Sequence, residues 1–323
     1  MYSVVIPVYK NEGSIPALLS ELSSVSGVIA DRFGLTTEFV FVVDGSPDNC
    51  YNLLREMLPR ASFRSQLILH ARNFGSLAAI RTGLIAGAGT YFGVIAADLQ
   101  EPPQLLVDFL GPLVANKADI VVGRREGRED PATSRISANL FWRLYRILVN
   151  PDIPPGGVDL FGCNRQVRDE LIRLEESHSS LVGLLFWVGF RRCETPYVRR
   201  TRPYGKSAWT VAKKFTYLLD SVFAFTDLPV RLLAFCGMLG LILGVGFGIT
   251  VGFLRLVGEI DLPGYAATIV AITFFGSLNT LGLGIVGIYA WRANENAKRR
   301  PHSVVQAVDR FDPNRSASRE SGS

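Results

Sequence analysis

The sequence predicts an α/β domain with a mostly parallel sheet, followed by a part that associates with a membrane. Up to Gly123, apolar runs rich in β-branched and aromatic residues alternate with helical patterns, as in sheets covered by helices on both faces. Acidic turns, Asp44–Asp48 and Asp98–Glu101, directly follow two of these runs. Between Leu232 and Trp291 lie two long apolar stretches separated by a short polar turn.

The N-terminal part of the chain divides into alternating strands and helices. Strands are predicted at Ser3–Val8, Glu38–Val43, Gln66–His70, Tyr91–Ala96 and Asp119–Gly123. Helices are predicted between them, from apolar spacing or small residues, at Ser14–Leu22, Asn52–Leu58, Ser76–Ala88 and Pro102–Leu113. In parallel sheets ligands bind at the carboxyl ends of the strands, so we expect the two acidic turns to share one cleft.

The two apolar stretches, Leu232–Leu254 and Leu262–Trp291, contain no Asp, Glu, Lys or Arg. The first would be about 34 Å long as a helix, whereas a bilayer core needs about 30 Å. The stretches predict two membrane spans, at about residues 232–254 and 264–291. We expect no signal peptide before Ser3, and the turn Arg255–Asp261 has one Arg against two acids. Both termini are therefore expected on the cytoplasmic side of the plasma (inner) membrane.

Two segments have amphipathic spacing. Ser207–Thr226 sets aromatic and aliphatic residues against Lys213 and Lys214, which predicts a helix lying in the membrane interface; an ordinary helix packed on the domain is the alternative. Ser137–Val149 leaves the same two interpretations open. The predicted division is residues 1–206 as a cytoplasmic domain, 207–228 as an interfacial helix, 229–292 as the two spans and 293–323 as a cytoplasmic tail, disordered from His302.

Charge and cysteine content exclude some classes of protein. A net charge of +5, from 34 basic and 29 acidic residues, is too mild to indicate a nucleic-acid partner. The basic residues cluster in Arg124–Arg146, Arg191–Lys214 and the tail from Arg292. There they suit an anionic lipid substrate or simply keep that side of the protein cytoplasmic. The cysteines lack metal-ligand spacing and fit a reducing cytosol; they are Cys50, Cys163, Cys193 and Cys236.

Asp98 and Gln100 form the strongest local motif. A carboxylate and an amide oxygen at this spacing after a strand are hard ligands for Mg²⁺ or Mn²⁺. An ion held there would neutralise a diphosphate leaving group. Equally, Asp98 could cap the helix predicted from Pro102, and the residues alone leave both interpretations open.

Two further strand ends carry polar motifs. Asp44–Asp48 is either a plain turn or the source of a carboxylate that accepts hydrogen bonds from a base or a ribose. Arg72–Gly75 is either a charged elbow between a strand and a helix or a capped helix start. Each motif is modest when taken alone.

Four motifs follow one another along the chain in a specific order and spacing. They are Val4–Tyr9 with Asn11-Glu12, Val43–Asp48, Arg72–Gly75 and Ala97–Pro103. Their series resembles the inverting family-2 glycosyltransferases of GT-A fold. More narrowly, it is similar to the polyprenyl-phosphate glycosyltransferases, which include dolichol-phosphate mannose synthase and the bactoprenol glucosyl transferases. The two apolar stretches match the bacterial members with two spans, so the resemblance covers about residues 3–300.

The resemblance implies a function for the whole chain. The protein would transfer a sugar from a nucleotide sugar, with UDP expected as the nucleotide, to a polyprenyl phosphate such as undecaprenyl phosphate. This hexosyl transfer would invert the anomeric configuration, require Mg²⁺ or Mn²⁺, and supply a polyprenyl-phosphate sugar for cell-envelope glycan modification. The implied partners are the nucleotide sugar, the lipid phosphate and the membrane, with a homo-oligomer left open and no nucleic acid.

The resemblance also implies roles for single residues, with Asp159 and Asp98 as the catalytic candidates. Asp159 would act near the acceptor as a base or positioning group, unless it caps a helix over Asn164–Leu174. Asp98 and Gln100 would hold the metal. Nucleotide contacts are expected from Pro7, Tyr9, Glu12, Asp44, Arg72 and Asp98. Phosphate contacts are expected from Arg125, Arg135, Arg202, Gly205, Lys206 and Ser207.

Two positions depart from the family pattern, because Val43 and Ala96 stand where many relatives carry acidic residues. The second departure leaves one carboxylate in the expected metal site. One other possible function is a processive or protein-directed glycosyltransferase, which a chain with two spans disfavours. Another is a non-enzymatic nucleotide-binding module or a subunit of a lipid-sugar translocation system. The presence of Asp98, Gln100, Asp159 and Arg202 counts against that last interpretation.

Overall fold

The computed structural model describes residues 1–128, 141–155, 157–158, 160–176, 179–201, 211–257 and 264–313. The chain forms two compact units. We call them the sheet unit, which comprises Met1–Tyr217 together with the residues from Pro301 onward, and the helical unit, which comprises Leu218–Arg300.

One sheet of eight strands runs through the described part of the sheet unit. The strands are β1 (Tyr2–Val8), β2 (Thr37–Val43), β3 (Arg64–His70), β4 (Tyr91–Val94), β5 (Ile120–Arg128), β6 (Phe161–Asn164), β7 (Arg192–Arg199) and β8 (Val305–Phe311). Their order across the sheet is β7-β5-β6-β4-β1-β2-β3-β8. The central strands β4, β1, β2 and β3 run parallel, as do β5 and β7, whereas β6 and β8 are antiparallel to their neighbours. The prediction of a mostly parallel sheet is confirmed.

Helices cover both faces of this sheet. They are α1 (Ile15–Phe33), α2 (Cys50–Met57), α3 (Ser76–Ala86), α4 (Leu105–Val114), α5 (141–148), α6 (Arg165–Arg173) and α7 (Leu181–Trp187). A short 3-10 turn, Glu12–Ser14, leads into α1. α1 continues past its predicted end at Leu22 because Val25 and Ile29 extend its buried apolar stripe. It ends at Gly34, whose φ of +65° is the left-handed conformation that commonly terminates helices.

The central strands are apolar on both faces, as expected for a sheet between two helical layers. Ile6 and Phe41 belong to the larger core, on the α1 side of the sheet. Val40 and Val42 pack with Ala79 of α3 on the opposite side. The approach of α3 is close, because a Cβ at Gly83 would lie 2.2 Å from Val5 Cγ1. This packing fixes the loops that leave the carboxyl ends of β1, β2 and β3.

Several predicted boundaries shift in the structure. β4 ends at Val94 rather than at Ala96, and α4 begins at Leu105 rather than at Pro102. β5 runs on to Arg128 because it pairs with β7 along its length. The sequence predicts no strand for β6 or β7. β6 has only four residues, and β7 mixes charged residues with apolar ones, so neither forms a long apolar run.

The expectation that the chain is disordered from His302 is wrong for Val305–Phe311. These residues form β8, which pairs antiparallel with β3 at the edge of the sheet. The pattern alternates, with partly buried Ala307, Asp309 and Phe311 between exposed neighbours. An edge strand needs only one buried face, so polar residues such as Gln306 and Arg310 can occupy its exposed positions. The tail beyond residue 313 lies outside the described residues.

The helical unit is built on long apolar helices. They are α8 (Val211–Phe225, which begins in the sheet unit), α9 (Leu228–Leu256) and α10 (Tyr265–Ala297). α9 extends beyond its predicted apolar stretch at both ends. α10 starts three residues after Leu262 and continues past the predicted end at Trp291. Within this unit, Arg292 Nη2 of α10 donates a hydrogen bond of 2.6 Å to Asp220 Oδ1 of α8. Part of the predicted turn Arg255–Asp261 lies outside the described residues.

Length and apolar composition would let three described helical stretches cross a membrane: Glu12–Phe33, Leu228–Thr250 and Phe274–Ala297. The first is α1 with its leading turn, whose apolar stripe is buried in the sheet unit. In α9 and α10, by contrast, large apolar side chains are exposed, among them Phe235 (65%) and Leu283 (72%). Apolar surface on this scale indicates membrane association.

Candidate functional site

The candidate site lies at the carboxyl ends of the parallel strands β1 to β4. We call residues 9–12, 44–49 and 71–75 the loop cluster, since they follow β1, β2 and β3. We call Asp98–Glu101, which follows β4, the acidic turn. Parallel strands deliver their carboxyl ends to one edge of a sheet, and Ser14 Oγ donates to the Ala97 carbonyl oxygen over 2.8 Å, joining the two regions. The two turns predicted to share a cleft therefore lie at one edge of the sheet, and the cleft itself stays a prediction.

Backbone and side chains tie the first two loops of the cluster together. The Lys10 N–H donates to Ser46 Oγ at 2.7 Å, and the Glu12 N–H donates to Asp48 Oδ2 at 3.1 Å. In return, the Asn49 N–H donates to Glu12 Oε2 at 3.1 Å. Glu12, an expected nucleotide contact, thus also braces the second loop.

The Asp48 carboxylate accepts several hydrogen bonds where these two loops meet. Burial raises the pKa of Asp48, but hydrogen bonds from Cys50 and Ser46 and from the Glu12 N–H outweigh it, so the pKa lies below its usual range. The ionised carboxylate is therefore the form that the folded loops favour.

Asp44 anchors the third loop of the cluster. Its side chain is buried; Oδ1 accepts from the Phe74 N–H at 2.9 Å, and Oδ2 accepts from the Gly75 N–H at 2.8 Å. His70 Nδ1 lies 2.8 Å from the same Oδ1. The motif Asp44–Asp48 after β2 is thus more than a plain turn, since the Asp44 carboxylate fixes the backbone of a neighbouring loop. Its direct contact with a base or ribose stays a prediction.

The second and third loops also meet backbone to backbone. Gly45 has a φ of +56°, and a Cβ there would lie 2.2 Å from the Arg72 carbonyl carbon. Only glycine fits so close an approach in this conformation. Arg72 is exposed, and its guanidinium lies 4.0 Å from the centroid of the Phe74 ring, a cation–π contact that orients it at the rim.

The acidic turn is buried and tightly bent. Asp98, Gln100 and Glu101 are all buried, and the Gln100 N–H donates to Asp98 Oδ1 at 3.2 Å. Leu99 adopts a φ of +58°, in the left-handed region. α4 begins at Leu105 without a side-chain cap. The alternative that Asp98 caps this helix is therefore wrong.

Two arginines on neighbouring strands face the acidic turn. Arg199 of β7 donates from Nη2 to Gln100 Oε1 at 2.7 Å, and its Nε lies 3.2 Å from Glu101 Oε1. Neither Arg199 Nε nor Glu101 Oε1 makes a hydrogen bond with the part of the chain that the structure describes. Arg125 of β5 donates from Nε to Tyr197 Oη at 3.2 Å. The predicted phosphate contact Arg125 thus lies on the strand beside Arg199.

Glu101 has an unusual environment for a carboxyl group. Burial raises its pKa, the negative charge of Asp98 raises it further, and Arg199 and Arg125 oppose the shift without cancelling it. The sequence motifs do not single out Glu101 or place Arg199 against it. The hydrogen bond from Arg199 to Gln100 joins residues 99 positions apart along the chain. No local pattern therefore reveals that Arg199 meets this turn.

The donor set of the acidic turn bears on the expected metal. No group of three or more His, Cys, Asp or Glu suited to a metal occurs among the described residues. The Gln100 amide oxygen already accepts from a guanidinium, and a second cation beside it would be repelled. Mg²⁺ commonly takes one or two carboxylates and completes its shell with substrate phosphates and water. Asp98 fits that role, whereas Gln100, as placed here, does not.

Several predicted site residues lie outside the described residues: Asp159, Arg135, Arg202, Gly205, Lys206 and Ser207. The structure nevertheless bears on the alternative for Asp159. The helix predicted over Asn164–Leu174 is α6, and Asn164 itself caps it, because its Oδ1 accepts from the Val167 N–H at 3.0 Å. Asp159 is therefore not needed as the cap of this helix, and its role near the acceptor stays a prediction.

Comparisons with known proteins agree with the motifs at this edge of the sheet. Residues 3–174 match the family model described as Glycosyl transferase family 2. The chain is 30% identical over 305 residues to "Uncharacterized glycosyltransferase YkcC" of Bacillus subtilis (strain 168), which covers 94% of this chain and 93% of that relative. It is 26% identical over 312 residues to "Bactoprenol glucosyl transferase" of Shigella phage SfII, covering 96% and 99%.

A third relative is "Undecaprenyl-phosphate 4-deoxy-4-formamido-L-arabinose transferase" of Klebsiella pneumoniae (strain 342). It is 27% identical over 317 residues, covering 95% of this chain and 93% of that protein. The family match spans more than half of the chain and includes the loop cluster and the acidic turn. The chain therefore belongs to glycosyl transferase family 2.

Proposed function

We propose that this glycosyltransferase moves a sugar from a UDP-sugar to a polyprenyl phosphate such as undecaprenyl phosphate, with inversion. The product would be a polyprenyl-phosphate sugar used in cell-envelope glycans. The carrying observation is that Arg199 holds the buried acidic turn, which contains Asp98, through Gln100 and Glu101, in a chain that also carries long apolar helices with exposed side chains. The names of the phage and Klebsiella relatives support the class of acceptor.

The donor's nucleotide would lie against the loop cluster. Tyr9 is partly exposed there, as is Pro7 near the end of strand β1, and Glu12 and Arg72 are exposed. The buried Asp44 carboxylate supports this surface by accepting hydrogen bonds from the Phe74 and Gly75 amides. A braced backbone loses less conformational freedom on binding, so this arrangement favours donor affinity.

The diphosphate would extend toward the acidic turn. Asp98 would hold an Mg²⁺ or Mn²⁺ ion there, and the ion would supply neutralising charge for the leaving group. Arg199 holds the turn through Gln100 and lies against Glu101, so the position of Asp98 depends on a β7 residue.

The acceptor phosphate is already an oxyanion at neutral pH and needs positioning more than deprotonation. One of its oxygens would bond to the anomeric carbon while the bond from that carbon to the diphosphate oxygen breaks, and the electron pair leaves with the nucleoside diphosphate. Arg125 lies on the strand beside the acidic turn and would hold the acceptor phosphate. Arg135, Arg202, Lys206 and Ser207 are proposed for the same task, with Asp159 positioning the acceptor.

The membrane arrangement is part of the proposal. α9 and α10 would span the plasma membrane, with both termini in the cytoplasm where nucleotide sugars are made. α8 would lie in the interface, because its apolar Phe215 is 61% exposed and Leu219 is 40% exposed.

Radiolabelled transfer tests this function directly. Purified full-length protein is incubated with a labelled UDP-sugar, Mg²⁺ and undecaprenyl phosphate, and the label is counted in the organic phase. We expect label in the lipid fraction that depends on the lipid phosphate. Nucleotide binding without any lipid product, across UDP-, GDP- and CDP-sugars, would instead favour the non-enzymatic module.

A further inference from the structure

A line of polar side chains runs through the sheet unit from its C-terminal segment to the loop cluster. Ser303 Oγ lies 2.9 Å from Thr82 Oγ1, and Thr82 Oγ1 lies 3.0 Å from His70 Nε2. His70 Nδ1 lies 2.8 Å from Asp44 Oδ1. Ser303 follows α10, while Asp44 belongs to the second loop of the cluster, so the line joins parts of the chain far apart in sequence.

The chemistry of these groups gives the line a direction. A carboxylate only accepts hydrogen bonds, so the His70 proton shared with Asp44 belongs on Nδ1. In a neutral imidazole, Nε2 then accepts from the Thr82 hydroxyl, whose oxygen in turn accepts from Ser303. His70 is 1% exposed and Asp44 is 3% exposed, so water does not readily replace a lost partner.

The far end of the line fixes the third loop of the cluster. Asp44 accepts from the amides of Phe74 and Gly75, and the His70 ring also packs edge-on against Phe74 at 5.7 Å between centroids. These contacts orient the backbone that follows Arg72. The hydroxyl groups of Thr82 and Ser303 therefore influence the conformation of the third loop indirectly, through His70 and Asp44.

The near end depends on the C-terminal strand. The Ala71 N–H donates to the Val304 carbonyl oxygen at 2.9 Å, next to Ser303. Farther along β8, Tyr51 Oη of α2 donates to Asp309 Oδ2 at 2.9 Å. The pairing of β8 with β3 thus places Ser303 against Thr82.

We propose that His70, Thr82 and Ser303 are positioning residues for donor binding. The segment after α10 would then support the nucleotide site through Asp44 without contacting the donor. The assignment rests on the proposed function, since it takes the loop cluster as the donor site. It predicts effects on donor affinity and loop order, with turnover at saturating donor nearly unchanged.

The test compares full-length variants in detergent. Thr82→Val and Ser303→Ala remove the hydroxyls, and Thr82→Ser restores one at position 82. Ser65→Ala is the matched control: Ser65 is a buried serine of β3, paired with Phe311 of β8 at the other end of the same ladder. Its Oγ has no hydrogen-bond partner among the described residues.

Three readouts are taken: hydrogen exchange of the peptide spanning residues 72–76, UDP affinity by calorimetry with Mg²⁺ present, and donor KM and kcat. Losing one hydrogen bond predicts a fall in UDP affinity and a rise in donor KM of about three- to tenfold. Exchange of the loop amides should accelerate in Thr82→Val and Ser303→Ala, with kcat within about twofold. Thr82→Ser and Ser65→Ala should match the wild type.

Unchanged loop exchange and UDP affinity in both hydroxyl-free variants would overturn the assignment. A similar loss of affinity in Ser65→Ala would overturn it too, because it would show a general response to strand perturbation. Failure of the proposed function is visible separately, in the wild type: a protein that binds neither UDP nor GDP has no donor site in the loop cluster, whatever the exchange rates show.

Discussion

The loop cluster and the acidic turn lie at the same edge of one sheet but treat their polar groups differently. In the loop cluster, carboxylates such as Asp44 and Asp48 are saturated by backbone amides and neighbouring side chains. In the acidic turn, Glu101 Oε1 and Arg199 Nε are buried and have no hydrogen-bond partner among the described residues. The first region has the character of a preformed binding surface, whereas in the second Arg199 and Glu101 face each other as an ion pair, with 3.2 Å between Nε and Oε1.

The largest expected effect tests the acidic turn as the place of chemistry. Asp98→Asn keeps the size and the acceptor oxygen that bonds the Gln100 N–H but removes the charge. Because electrostatic stabilisation of the leaving group lowers the barrier to transfer by several kcal/mol, we expect transfer to fall at least about a hundredfold. The measurement is initial-rate lipid product, with circular dichroism to check folding. Near-normal turnover, or wild-type activity that ignores EDTA, would remove Asp98 from the metal role.

The next effect concerns the arginine behind the turn. Arg199→Ala would leave Glu101 buried without its cation, and breaking a buried pair destabilises by about 3–5 kcal/mol. Since Arg199 is itself 22% exposed, we expect the lower end of that range, seen in urea unfolding. The double variant Arg199→Ala/Glu101→Gln should recover much of the loss, because it removes the unpaired charge. Equal stability of the single and double variants would show that the pair is not coupled.

A smaller effect tests the C-terminal strand that supports the loop cluster. Phe311 of β8 packs on the core partly buried, so Phe311→Ala should lower the free energy of unfolding of the sheet unit by about 1–2 kcal/mol. Val308→Ala is the control on the same strand, since Val308 is 49% exposed. Thermal unfolding in detergent measures both. A loss as large in the control would mean that β8 contributes through backbone pairing and not through its buried face.

The smallest effect depends on pH and belongs to the loop cluster. The pKa of Asp48 is lower in the folded protein than its ordinary value, so its stabilising contribution is present at neutral pH and is lost as the pH falls through the folded-state pKa. Asp48→Asn should therefore be less stable than the wild type at pH 7, and the two should converge in the acid range below about pH 4. Unfolding curves across pH measure the difference. A gap that persists unchanged into acid would assign the effect to shape instead of charge.

The sequence predicts best those parts whose physics is local. β1 and β2 are buried on both faces, so their apolar runs identify them, and the long uncharged runs of α9 and α10 predict helices. β8 is missed because Gln306, Asp309 and Arg310 interrupt its apolar residues, which an edge strand with one buried face permits. In such a segment, pairing with β3 decides the structure, and pairing is not visible in composition.

The candidate site divides in the same way. Asp44 and Asp98 are found because they follow predicted strands in turn-rich motifs. The hydrogen bond from Arg199 to Gln100, and that between Ser303 and Thr82, join residues widely separated along the chain. They arise from strand order, which places β7 and β8 at opposite edges of the sheet, and no motif contains both partners.

The central claim is that the loop cluster binds the nucleotide while the acidic turn performs the transfer. UMP tests it most directly, because it carries the base and ribose but lacks the second phosphate expected at Asp98. Calorimetry with UMP is run on the wild type, Thr82→Val and Asp98→Asn, alongside lipid-product formation. We expect Thr82→Val to bind UMP more weakly, and Asp98→Asn to bind UMP like the wild type while losing transfer. UMP binding that is lost in Asp98→Asn and unchanged in Thr82→Val would contradict this division of roles.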